Sequence, residues 1–177
     1  MPSFGRPVIP AIVTSIWGDP RPYRDGVHQG LDFRASLGTP VYAVADGRVT
    51  VSKRSSGPEG EYIKIDHGAG FESLSMHLSE RLVQTGAVVT KGQKIGLSGA
   101  TGIKQSAPHL HLTLKHNGRP VPAEPHIPID RLKSKELERL VAARGLSTVK
   151  YASFGIGTIL LMLGTVWALL RPKKRQP

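Results

Sequence analysis

The sequence contains no cysteine, which excludes disulfides and every thiolate-based metal centre and leaves His, Asp and Glu as the available ligands. Acidic side chains are scarce too: 13 Asp and Glu face 24 Lys and Arg, a formal net charge of +11. Such a chain suits anionic partners, among them phosphate-rich polymers, lipid headgroups and nucleic acid. Nucleic acid has only that net charge in its favour, because the body has few paired aromatics or Lys/Arg stripes and many cations cluster near the C-terminal end, and no nucleic-acid partner is expected. The opening MPSFGRPVIPAIVTSIWG has no basic start, apolar stretch and small-residue cleavage site, so no signal peptide is expected there. Long apolar runs are missing, with one exception. Residues 151–170 carry no charge and are bracketed by Lys150 and by Arg171, Lys173, Lys174 and Arg175. At ~1.5 Å per residue such a run covers the ~30 Å hydrocarbon core of a bilayer. With Trp167 and cations at its end, it reads as one transmembrane helix over 149–171 followed by a basic tail, 172–177.

The chain's 177 residues allow one domain with a core and little else. Short strands are predicted at 40–45, ending in an Asp46-Gly47 turn, and at 48–53, 62–66, 71–76 and 109–115, the last closing at Asn117-Gly118. Alternating apolar positions, β-branched residues and Asp-Gly or Asn-Gly punctuation make this a mostly-β, antiparallel body. Four prolines between 120 and 128 predict a stiff, extended connector that ends the body, domain 1–128. Over 129–148, Leu132, Leu137, Leu140 and Val141 recur at helical spacing among charges, with Gly145 as terminator. An amphipathic juxtamembrane helix is expected there. Within the span, Ser153, Gly157, Gly164 and Ala168 fall along one side, a pattern that predicts weak self-association.

Metal-binding side chains concentrate in two short segments, His28-Gln-Gly-Leu-Asp32 and His109-Leu-His111. On a strand, the two histidines of His-x-His point the same way, so one can ligate a metal while the other touches what the metal activates. Two imidazoles with one carboxylate leave the fourth position of a zinc ion open to water, which is a catalytic layout rather than a closed structural one. The glycines of KGQKIGLSGATG, Gly92, Gly96, Gly99 and Gly102, are not followed by the Gly-Lys-Ser/Thr of a phosphate loop. They read as bulges, turns or close backbone approaches, with Ser98, Thr101 and Ser106 as candidate substrate donors.

These segments sit among others in a familiar order: Ser15-Ile-Trp-Gly18, GVHQGLDF (26–33), GTPVYAVADGRV (38–49), YIKIDHGAGF (62–71), MHLSE (76–80), VTKGQKIGLSGATG (89–102) and PHLHLTL (108–114). Over nearly the whole body the chain resembles the lysostaphin-type, or LytM-like, zinc metalloendopeptidases that cut peptidoglycan peptides. The resemblance implies a compact antiparallel β-sheet or half-barrel peptidase domain, one zinc ion per chain, and a peptidoglycan peptide as substrate. Carried over by position, it makes His28, Asp32 and His111 the metal ligands, and His77 and His109 the non-ligand catalytic histidines. Between them these two would move the proton of the attacking water and stabilise the oxyanion. His67, His116 and His126 receive no such role. The stretch DPRPYRDGV departs from the family's Gly-x-Arg spacing, which bears on the rim of the groove and on substrate preference rather than on the metal site.

Two other functions compete. A non-catalytic wall-binding or hydrolase-activating module would have lost ligands, yet both segments are complete. A lipoyl- or biotin-carrier-like half-barrel, suggested by PVYAVADGRV and KGQKIG, needs an acceptor lysine at a hairpin tip, and none is recognisable. A wall enzyme with a C-terminal span would be a single-pass membrane protein whose body works outside the inner membrane, or would sit in the membrane of a phage virion. Cations on both sides of the span, Lys135, Arg139, Arg144 and Lys150 against the basic tail, leave the two orientations balanced.

Overall fold

The computed structural model of the chain describes residues 1–21, 26–102 and 107–130. Ten strands follow one another: β1 Val13–Ser15, β2 Leu31–Arg34, β3 Pro40–Tyr42, β4 Gly47–Arg54, β5 Glu61–Asp66, β6 Phe71–Arg81, β7 Val88–Val89, β8 Lys94–Ser98, β9 His109–His116 and β10 Arg119–Val121. Every pairing is antiparallel, and the described residues contain no α-helix. The mostly-β expectation holds. Among the described residues no helix is long and apolar enough to cross a membrane. The predicted span, the basic tail, the Ser153-to-Ala168 stripe and all but the first two residues of the predicted amphipathic helix lie outside them.

The central path runs β1-β2-β9-β6-β5-β4-β7, with β10 beside β9 and β8 joining β3 to β6. Strand β9, HLHLTLKH, shows why: Leu110, Leu112 and Leu114 are fully buried while His109, His111 and Lys115 are only partly covered. Period-2 alternation thus puts leucines in the core and chemistry on the other face. The core gathers these leucines with Leu31, Phe33, Ile63 and Ile65, and the N-terminal segment adds Val8 and Ala11. Removing one such side chain, Leu112 for example, costs about 2–5 kcal/mol.

Three local expectations are corrected. Asp46-Gly47 does not join a hairpin, because β3 pairs with β8 while β4 pairs with β5 and β7. Gly47 is required for a different reason: a Cβ there would overlap the Asp66 carbonyl. The proline-rich stretch is not an extended connector. Its start is β10, hairpinned to β9 through Asn117 and Gly118, both at positive φ (50° and 77°) as a type I′ turn requires. Beyond it Ala123 and Ile127 are buried in the core, and the Asp130 carboxylate accepts from the Ala11 amide at 2.8 Å and from Arg6 at 2.6 Å. Prolines exclude a helix there but not core packing. Finally, β6 runs on to Arg81, five residues past its expected end, and pairs with β9 as far as Met76, with β5 as far as Leu78 and with β8 from Leu78 onward.

Candidate metal centre

Strands β2 and β9 set the site. Their register places Asp32 opposite His111 and Arg34 opposite His109, so the carboxylate and both histidines of His-x-His stand on one face. His28 lies just before β2. Gly30 between them is obligatory: a Cβ there would lie 2.8 Å from His111 Nε2 and 2.6 Å from the Leu112 carbonyl oxygen. His77 arrives by another route. Met76 opposes His111, so regular alternation would send His77 to the core side. A bulge, with Glu61 opposite Leu78 but Ile63 opposite Ser75, and a φ of 62° at His77 turn its ring to the site instead. The rings of His77 and His109 are then 5.0 Å apart, and those of His77 and His111 5.8 Å.

The donor atoms converge. His28 Nε2 lies 3.0 Å from His111 Nδ1 and 3.1 Å from Asp32 Oδ1, and His111 Nδ1 lies 2.8 Å from that same oxygen. The outward nitrogens fix the tautomers. His28 Nδ1 donates to the Ile16 carbonyl at 2.8 Å. His111 Nε2 is 3.0 Å from Thr113 Oγ1, and that hydroxyl donates to the Gln29 carbonyl at 3.0 Å, so it must accept from the imidazole. With both outer nitrogens protonated, the inward ones and Asp32 Oδ1 are three lone-pair donors aimed at one point. Such a set is repulsive until a cation shares it, and together the ligand atoms lie within 4.8 Å of one another. This fits zinc, which takes N and O ligands and needs each deprotonated.

Charge states agree. Burial pushes the Asp32 carboxyl up, but the adjoining His111 and His28 imidazoles and the Arg21 guanidinium that donates to it outweigh burial and hold it far below the usual carboxylate range. Burial lowers His111 against the pull of Asp32. Burial, then the neighbouring His111 and His109, brings His77 down to about 4.

All five predicted site residues therefore meet in one place. Sequence reasoning missed their supports. Arg21 Nη2 donates to Asp32 Oδ2 at 2.8 Å, which leaves Oδ1 to the centre; its position within the irregular DPRPYRDGV stretch was the only signal. Thr113 was legible as the next outward residue after His111. Main-chain carbonyls orient the other two rings, Thr101 for His77 Nδ1 at 3.1 Å and Ala107 for His109 Nδ1 at 2.8 Å. Two candidate substrate donors are overturned. Ser98 is fully buried and donates to the Ser36 carbonyl at 2.5 Å, and the Thr101 hydroxyl donates to Leu78 O at 2.7 Å while accepting from the Glu61 amide. Ser106 lies outside the described residues.

An antiparallel sheet carrying a two-histidine, one-carboxylate centre with two further imidazoles defines a metallopeptidase-type site. Residues 26–123 match peptidase family M23, and the chain belongs to that family. It is 43% identical over 119 residues to the peptidoglycan DD-endopeptidase ShyA of Vibrio cholerae, covering 66% of this chain and 27% of the relative. It is 42% identical over 95 residues to the DD-carboxypeptidase/endopeptidase Mpg of Neisseria meningitidis, covering 54% and 21%. Among solved structures, a zinc-containing peptidase from Vibrio cholerae superposes with a TM-score of 0.63 at 36% identity, over 68% of this chain and 39% of that one. The catalytic domain of lysostaphin from Staphylococcus simulans gives 0.60 at 32% identity, over 65% and 90%. The chain thus spans about a quarter of the length of the curated relatives it matches.

Proposed function

We propose that the chain is a zinc-dependent endopeptidase that cuts the peptides of bacterial peptidoglycan and is held to a membrane by residues 149–171. The observation that carries this reading is the convergence of the His28, Asp32 and His111 donor atoms beside two imidazoles that are not part of the set. Relatives named as DD-endopeptidases support the substrate class. Held by those three residues, zinc supplies Lewis-acid polarisation of a scissile carbonyl and acidifies a water to a pKa of ~7. The chain's own residues do the rest. His77 and His109 each have Nδ1 tied to a main-chain carbonyl, which leaves Nε2 as the working nitrogen. A neutral ring held this way has a lone pair at Nε2 that takes the water proton and returns it to the leaving amine, and the ring that donates to the oxyanion does so as the imidazolium. His77, neutral down to about pH 4, is uncharged in a neutral medium. Asp32 stays ionised, its second oxygen on Arg21.

The test is digestion of purified sacculi by the full chain, with mass spectrometry of the fragments and metal analysis of the protein. Expected are one zinc per chain, peptide rather than glycan cleavage, and loss of both with chelator. Protein without zinc whose hydrolysis ignores chelator would sink the reading.

The anchor rests on the uncharged run 151–170 and its flanking cations. We place the body on the wall side of the inner membrane, with the membrane of a phage virion as the variant setting. Protease added to spheroplasts separates the two: a digested body supports display on the wall side, whereas a protected body with activity only in virus particles supports the virion. Self-association through Ser153, Gly157, Gly164 and Ala168 belongs to the same reading. It predicts weaker dimerisation of a Gly157→Leu, Gly164→Leu variant in a membrane assay.

A further inference from the structure

Along β9 the residues facing the metal side are His109, His111, Thr113 and Lys115. The register carries this face across the sheet: Thr113 opposes Leu74, Leu74 opposes Lys64, and Lys64 opposes Val51. The outer face therefore continues from the metal centre into a cleft of about 480 Å³. The two meet at a second point, where the main-chain carbonyl of Glu59, a residue lining the cleft, accepts from the His77 amide at 2.9 Å.

The lining of this cleft is one-sided. Lys53, Arg54, Lys64 and Lys115 stand around Tyr62 and Leu74, with a single carboxylate, Glu59, which accepts from the Ser55 hydroxyl at 2.8 Å. Lys64 is paired with Glu72 at 2.7 Å. Lys53, Arg54 and Lys115 form no ion pair among the described residues, and the carboxylates that stand opposite Lys115 and Arg54 in the register, Glu72 and Glu61, are engaged by Lys64 and Arg81. Like charges gathered over one stretch of sheet repel one another. An anion bound among them would relieve that repulsion.

We propose that this cleft receives the free carboxylates of the wall peptide, so that the chain selects anionic stem peptides over neutral bridges such as oligoglycine. The proposal rests on the peptidase reading above. From His111 to Lys115 the strand rises roughly 13 Å, which an extended peptide spans in about four residues. The carboxylates recognised thus lie within about four residues of the cleaved bond. Tyr62 and Leu74 cover the aliphatic part of the same stretch. A lipid headgroup would gain nothing from a recess continuous with the metal centre.

The experiment uses the full zinc-loaded chain in detergent. Its substrates are two synthetic cross-linked peptides, one with free carboxylates and one with the same carboxyls amidated. Wild type should prefer the free acid, and added salt should erode the preference. A Lys53→Glu, Lys115→Glu variant should lose about tenfold or more in kcat/KM on the free acid, chiefly through KM, and less than about twofold on the amide. A Lys53→Gln, Lys115→Gln variant should fall between them, and unchanged Tm and zinc content certify the fold. Equal rates on both peptides with wild type, or equal losses on both with the variants, overturn the proposal and leave the peptidase reading standing. If wild type cuts neither peptide, the peptidase reading fails. Calorimetric binding of the free-acid peptide, weakened about tenfold by the glutamates, then supports the cleft, and equal binding overturns it. Anionic vesicles captured through Lys53 and Lys115 in place of the peptide would also overturn it.

Discussion

Two clusters of histidine occupy this domain, and only one is built for chemistry. In the first, His28 and His111 aim lone pairs at Asp32 Oδ1 over distances of 2.8–3.1 Å, and His77 and His109 stand beside them. In the second, His67, His116 and His126 surround Phe71, with His116 stacked on it at 4.4 Å and His126 edge-on at 5.5 Å, while Phe4 meets His67 and His126 at 5.9 Å. His67 spends both nitrogens on the fold, 2.8 Å from the Asp46 carbonyl and 2.8 Å from Ser73 Oγ. Each cluster is partly buried and rich in imidazole. What separates them is where the nitrogens point and whether a carboxylate stands at the focus.

The comparison breaks most sharply at His111. His111→Ala should abolish zinc binding and reduce peptide hydrolysis to background, whereas His116→Ala should do neither; metal analysis beside a turnover assay reads both. A zinc-loaded, active His111→Ala protein would erase the distinction between the clusters. Next in size, His77→Ala and His109→Ala should keep the zinc while activity falls by ~100-fold or more. Metal lost from either variant would move that histidine into the ligand set.

Arg21→Gln should leave the fold intact and weaken zinc retention by roughly 10–100-fold, measured by chelator competition, because Asp32 loses the partner that orients its second oxygen. Unchanged retention would make Arg21 a surface ion pair only. The smallest effect belongs to the second cluster. Burial lowers the pKa of His67 below its ordinary 6.5, so the unfolded chain takes up a proton before the folded one does. Its contribution is complete above about pH 6.5 and is lost as pH falls through the folded value. In His67→Gln, thermal melts across that window should show a shallower loss of Tm than wild type. Identical slopes would mean His67 is not held neutral.

How much of this was legible varied with what each feature depends on. The segments His28–Asp32 and His109–His111 were readable because their spacing is local: His-x-His on a strand shares a face whatever the rest of the chain does, whereas the separate roles of these residues, and His77 altogether, rested on the family resemblance. Strand β9 and the Asn117-Gly118 hairpin were readable for the same reason, since alternation and turn chemistry are encoded within a few residues. The direction of His77 was not, because the alternation of FESLSMHL sends it inward and only a bulge with a positive φ at a non-glycine residue reverses that. Asp46-Gly47 misled because a glycine needed for a close backbone approach looks the same as one needed for a turn. Ser98 and Thr101 misled because a hydroxyl in a glycine-rich loop can face a ligand or a carbonyl, and here the carbonyls of Ser36 and Leu78 claim them.

The ladder between β2 and β9 pairs Leu31 with Leu112 and Phe33 with Leu110, all four wholly buried. Asp32 and His111 are thus brought face to face by their apolar neighbours and the backbone, not by the ion they would hold. Such a scaffold can be completed first and armed afterwards. The donor atoms would then stand in register before any ion arrives, and metal binding would cost little rearrangement of the sheet. The same separation means that a ligand can be exchanged for another side chain without unfolding the sheet that carried it.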